Sequence, residues 1–191
     1  MAPTSRRRQL GQSIVEFAIA TPVLITLLLG GFDTAVLISD KVVAGAACRQ
    51  GARLGAELGG IQTNPGMTPA TADNYIVKNV LAVAKAMNYS AISDIYIYSP
   101  TEANGDLPIN GAGAPTGPDL VDHFTVSGTP GNYTASPPGS YQLSMALRVQ
   151  VPPHETPIGV KLRWSYAPPT GLGLNVVLTE YTVFLAAPWL A

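Results

Sequence analysis

The chain of 191 residues carries 11 basic and 12 acidic side chains for a formal net charge of −1, and 47% of its residues are apolar. That balance lacks the basic footprint a nucleic-acid partner requires, and the lone Cys48 excludes an intramolecular disulfide. Only 12% of residues are charged, few for a soluble domain and natural for a chain with a membrane segment.

The N-terminus begins with the cluster Arg6-Arg7-Arg8 and has no acidic residue among its first eleven positions. From Gln12 to Phe32 the sequence is apolar apart from one carboxylate, Glu16. As a helix this run is roughly 32 Å long, enough to cross a hydrocarbon core. Arginines before it and Asp33, Asp40 and Lys41 after it put the N-terminus in the cytoplasm and the remaining residues outside.

Three readings compete for such a start. A secretory signal peptide is disfavoured by the long apolar run, and by the charges that separate it from Cys48 in its faintly lipoprotein-like setting. A plain signal anchor explains the span but leaves Glu16 unexplained, although an acidic group in hydrocarbon costs about 2.5 kcal/mol or more. The third is a type IV pilin-like leader: a basic segment, Gly11 at the cleavage point, Gln12 as the new N-terminus and Glu16 as the fifth mature residue. Cleavage would expose an α-amine of pKa roughly 8 at the membrane surface, and a carboxylate one helical turn along can neutralise such an amine, in a filament that of a neighbouring subunit. Removing Arg6, Arg7 and Arg8 from the 11 basic residues would leave 8 against 12 acidic, a charge near −4.

The helix is expected to continue beyond the span, because Thr34 to Gly59 is rich in Ala, Val, Leu and Gly and has no Pro. Ala47, Gly51, Gly55 and Gly59 recur every four residues and form a smooth stripe that lets another backbone approach closely. Each helical Gly costs about 1 kcal/mol against Ala, so the stripe should have a packing reason, either the chain's own head or a neighbouring subunit. Arg49, Arg53 and Glu57 share an adjacent, solvated face.

Gly11 to Ala18 (Gly-Gln-Ser-Ile-Val-Glu-Phe-Ala), Pro22, Gly30-Gly31-Phe32 and Ala46 to Arg53 (Ala-Ala-Cys-Arg-Gln-Gly-Ala-Arg) resemble the N-terminus of TadE-like proteins. These are pilin-like components (pseudopilins) of the tight-adherence, or Flp, pilus. The resemblance covers about residues 6–60, and Cys48 departs from the family pattern. It implies cleavage after Gly11 by a prepilin peptidase, Gln12 as mature N-terminus, Glu16 as assembly carboxylate, and Pro22 with the small-residue stripe as helix-packing positions. The implied partners are the prepilin peptidase, other pilin-like subunits, the inner-membrane secretion platform and membrane lipid.

After Gly60 a Thr, Asn, Pro and Gly-rich linker occupies residues 61–71. Thr71 or Asp73 then caps a helix that turns Ile76, Val80, Val83, Ala84 and Met87 to one face and ends near Asn88. Ser93 to Tyr98 alternates as a strand. Residues 99–120 read as a long mobile surface loop, and Tyr141 to Val151 as the clearest strand, with Leu143, Met145, Leu147, Val149 and Val151 alternating with the outward-facing Ser144, Ala146, Arg148 and Gln150 until Pro152-Pro153 ends it. Val160 to Tyr166 and Val176 to Ala186 flank the Pro168-Pro169-Thr170-Gly171 turn as two antiparallel strands. Asp122-His123 and His154-Glu155 lack a third ligand at metal spacing and read as loop residues, and no nucleophile or phosphate motif is present.

The expected architecture is α+β: a leader at 1–11, a transmembrane helix at 12–32, its extramembrane extension at 33–60, and a head at 72–191 with an antiparallel sheet packed on helix. The expected function is that of a structural pilus component, without enzymatic activity or cofactor, in the bacterial cytoplasmic membrane. The competing class is a signal-anchored extracytoplasmic binding domain that never assembles.

Overall fold

The computed structural model describes residues 5–58, 66–149 and 155–185, with side chains from Gln12 onward. Gly59, the first residues of the expected linker, Val151 to His154 and Ala186 lie outside the described residues. The fold is α+β: one long helix, a second helix, and a five-stranded antiparallel sheet.

Helix α1 (Ser5–Leu58) runs unbroken for 54 residues, roughly 80 Å. Its first half is long and apolar enough to cross a membrane, and the segment that qualifies is wholly unburied. Ile14, Phe17, Ile19, Leu27 and Leu28 are all exposed there. The second half buries one stripe (Asp40, Ala44, Ala47, Cys48, Gly51, Ala52, Gly55 and Ala56) in which each residue has another three or four positions away, the spacing of a single helix face.

Helix α2 (Pro69–Ala84) returns along α1 and starts one turn earlier than expected. Thr68, not Thr71 or Asp73, is its cap: the Thr68 hydroxyl accepts from the Thr71 N–H at 3.2 Å, and Pro69 occupies the position where a missing N–H costs nothing. The predicted face is correct, since Ile76, Val80, Ala84 and Met87 are fully buried.

The strands are β1 (Ser90–Ser99), β2 (Leu120–Thr129), β3 (Asn132–Ser136), β4 (Pro157–Tyr166) and β5 (Val176–Leu185), in sheet order β3-β2-β1-β4-β5. Alternation on β1 sends Ile95 and Ile97 toward the helices and Tyr96 and Tyr98 to the opposite face. Around Trp164, Phe124 and Met87 the sheet and both helices share one core. Strand β4 runs back along α1 until Tyr166 donates its hydroxyl to the Asp33 carbonyl at 2.8 Å, and β5 returns from there.

Two expected segments of the head take another form. Residues 100–119 are not a loose surface loop but a cover over the second sheet face. Tyr96 and Tyr98 donate to the carbonyls of Gly113 (2.5 Å) and Gly105 (2.8 Å), Lys161 donates to Asp106 (2.8 Å) and the Leu107 carbonyl (2.7 Å), and Leu107 is fully buried. Pro and Gly content signals irregular backbone but not whether side chains beneath it hold it down.

The described part of Tyr141 to Val151 is likewise not a strand. It is an irregular segment with one 3-10 turn (Met145–Leu147). Leu143 and Met145 are buried as alternation requires, yet so is Arg148, while Leu147 is exposed. Side chains replace a ladder here: Asp122 accepts the N–H groups of Gln142 (2.5 Å) and Leu143 (3.3 Å), and Thr156 receives that of Val149 at 3.0 Å. Strands β2 and β3, which local patterning does not show, complete that side of the sheet instead, with β3 at the edge.

Candidate functional site

The expected functional residues lie along α1. Glu16 shares its face with Ile19, Ala20, Val23, Leu24 and Leu27, and its carboxylate accepts from the Gln12 side-chain amide at 2.9 Å. That donor is neutral, and no cation pairs with Glu16 among the described residues. Pro22 sits inside the helix and has no N–H for the Ala18 carbonyl. The hydroxyls of Thr21, Thr26 and Thr34 donate to the carbonyls of Phe17 (2.7 Å), Pro22 (2.8 Å) and Gly30 (2.8 Å), so each satisfies itself within the helix, as hydrocarbon requires.

The two carboxylates that follow the apolar run bind the head. Asp33 accepts from the Thr170 N–H at 3.3 Å and from the Thr170 hydroxyl. Asp40 receives the N–H groups of Asn88 and Tyr89, each at 3.2 Å, and the Ser90 hydroxyl at 2.6 Å. In the sequence both are charges that end the apolar run; their hydrogen bonds also dock the helix onto the head. Lys41 pairs with Glu180 at 3.6 Å.

The small-residue stripe faces the same way. A Cβ at Gly51 would lie 2.5 Å from Val80 Cγ2 and 3.3 Å from Val160 Cγ1, and one at Gly55 would lie 2.9 Å from Ile158 Cγ2. Ala47 is fully buried beside them. In this molecule the stripe is filled by α2 and β4 of the chain's own head. Gly51→Val should therefore overpack the helix–head joint by about 1–3 kcal/mol, read as a lower urea midpoint in detergent. Gly30→Ala, with nothing within 4 Å of the added carbon and a helix propensity better by about 1 kcal/mol, should not lower that midpoint.

Cys48 lies in this joint, its thiol donating to the Glu180 carbonyl at 3.3 Å, and burial pushes its pKa up to about 12. Such a thiol packs as a small apolar group and is unreactive.

Of the two histidines, His154 lies outside the described residues. His123 is on strand β2, not in a loop, where its Nε2 is 2.8 Å from Asp94 Oδ1 and its ring stacks on Tyr96 with centroids 4.6 Å apart. Burial would raise the Asp94 carboxyl, but hydrogen bonds from Ser93, His123 and Arg163 hold it below the usual range. The described residues contain no cluster of three or more His, Cys, Asp or Glu suited to a metal.

One charged cluster was not foreseen. Arg148, fully buried, donates from Nη2 to Asp73 Oδ1 at 2.5 Å and to the Leu143 carbonyl at 3.3 Å, with Asp122 Oδ2 at 3.9 Å. Two buried carboxylates thus share one guanidinium. Burial raises the Asp73 carboxyl to about 8, against the attraction of Arg148. The alternating pattern that suggested a strand hid this cluster, because it assigned Arg148 to a solvent face.

No curated protein and no solved structure matches the chain. The family model described as TadE-like protein matches residues 11–53. Gly11, Glu16, Pro22 and the stripe through Gly51 all lie inside the matched segment, over which the chain is similar to TadE-like proteins.

Proposed function

We propose that this protein is a pilin-like structural component of a tight-adherence pilus, held in the bacterial cytoplasmic membrane by residues 12–32 with its N-terminus inside and its head outside. Prepilin peptidase cleaves after Gly11, and the chain then works with other pilin-like subunits and the secretion platform. The observation that carries this reading is Glu16: a carboxylate on an exposed apolar helix face, hydrogen-bonded only to a neutral amide among the described residues, four positions after Gln12. An uncompensated charge in hydrocarbon is costly enough to call for a cationic partner, and the α-amine exposed on a neighbouring subunit by cleavage is of the right charge and height.

The reading predicts that protein purified from its native membrane begins at Gln12, and that Gly11→Leu abolishes this processing. It also predicts that Glu16→Ala is processed normally yet supports no pilus assembly. A chain that keeps Arg6 to Arg8 and tolerates Glu16→Ala would instead be a signal-anchored binding domain.

A further inference from the structure

Residues 167–175, between β4 and β5, carry no charged side chain and turn their largest apolar groups outward: Leu172 is 65% and Leu174 is 86% exposed. The loop is nonetheless rigidly built. The Gly171 N–H closes a turn onto the Pro168 carbonyl at 3.1 Å, Gly171 takes a left-handed φ of +70°, and a Cβ at Gly173 would lie 2.7 Å from Pro168 Cγ. Thr170 fastens it to Asp33. Leu172 and Leu174 are therefore presented to the outside by a fixed support.

What they face follows from their height on α1. With Thr26, Gly30 and Thr34 the loop lines an open, mostly apolar groove of about 330 Å³. Thr26 precedes Phe32 by six residues, about 9 Å along the helix, so the groove overlaps the outer end of the apolar run. That depth matches the roughly 5–10 Å to which interfacial segments enter the headgroup and acyl boundary. The exposed surface of the loop is continuous with the unburied apolar surface of α1, and the one carboxylate beside it, Asp33, is sealed by Thr170 and so spared contact with lipid.

We propose that this loop is a second membrane contact, with Leu172 and Leu174 seated in the lipid interface beside α1, so that the head rests on the bilayer in a single orientation. The occupant of the groove is lipid. This rests on the reading of residues 12–32 as a membrane span.

The test uses the full chain in phosphatidylcholine–phosphatidylglycerol vesicles with an environment-sensitive fluorophore on one introduced cysteine. Buried Cys48 can stay, because it does not compete for the label. The label goes on Leu174→Cys, on Leu27→Cys within the span, or on Glu102→Cys at the far end of the head. Leu174 and Leu27 should be quenched by spin-labelled lipid, Leu174 more strongly by a shallow label than by a deep one, and Glu102 by neither. Quenching at Leu27 with none at Leu174 would overturn the proposal and leave the membrane span standing. No quenching at Leu27 would remove the span and the proposal together. A Leu174 label that escapes lipid quenching but shifts to the blue as protein concentration rises would assign the groove to a second copy of the chain, which also overturns it.

Discussion

Arg148→Ala is expected to destabilise the head by about 3–5 kcal/mol, a large share of the 5–15 kcal/mol typical of a folded domain. The substitution leaves Asp73 and Asp122 buried against each other with no cation between them. Urea unfolding of the full chain in detergent, followed by the fluorescence of buried Trp164, measures the loss. Asp73→Asn should behave in the opposite way. It keeps an acceptor for Arg148 and removes the carboxyl that burial has raised to about 8. Because the folded state binds this proton more tightly than the unfolded chain, the stabilisation is fully present below about pH 4 and is lost as pH rises through about 8. The urea midpoint of the wild-type chain should carry this decline, and that of Asp73→Asn should fall less over the same interval. A Asp73→Asn variant with an unchanged pH profile would show that Asp73 is ionised in the fold.

The second large effect is expected at Asp40. Its carboxylate is the acceptor for two backbone N–H groups and one hydroxyl where α2 gives way to β1. Asp40→Ala strands those donors in a largely buried joint, at about 1–3 kcal/mol for each unmet N–H, so the helix–head junction should weaken by about 2–5 kcal/mol. Asp40→Asn, which keeps one acceptor oxygen, should fall between. The distance between spin labels on α1 and on the outer sheet face would report the effect directly: it should broaden in Asp40→Ala while helix content is kept. A narrow distribution equal to wild type would mean that the stripe around Gly51, with Asp33 and Lys41, holds the joint without Asp40.

Asp40 also marks where sequence reasoning reaches its limit. The long helix is legible in local sequence, because an apolar run without Pro beyond position 22, followed by an Ala- and Gly-rich stretch, has no competing local structure. The amphipathic face of α2 and the strands around Ile95, Val160 and Val177 are equally legible, since each is written in short-range periodicity. The destinations of the charges are set by the packed fold. Arg148 stands at a polar position of the expected strand and Asp73 is one of two expected caps, yet they meet in the core across 75 positions of chain, and a 3.6-residue or 2-residue period carries no information about such a pairing. The same holds for residues 100–119, ordered by Tyr96, Tyr98 and Lys161 from below, and for the use of Asp33 and Asp40 as docking points. Local sequence sets which elements form, through backbone preference and apolar spacing; the partner of a buried polar group is chosen by the fold, because desolvation makes any unpaired alternative too costly.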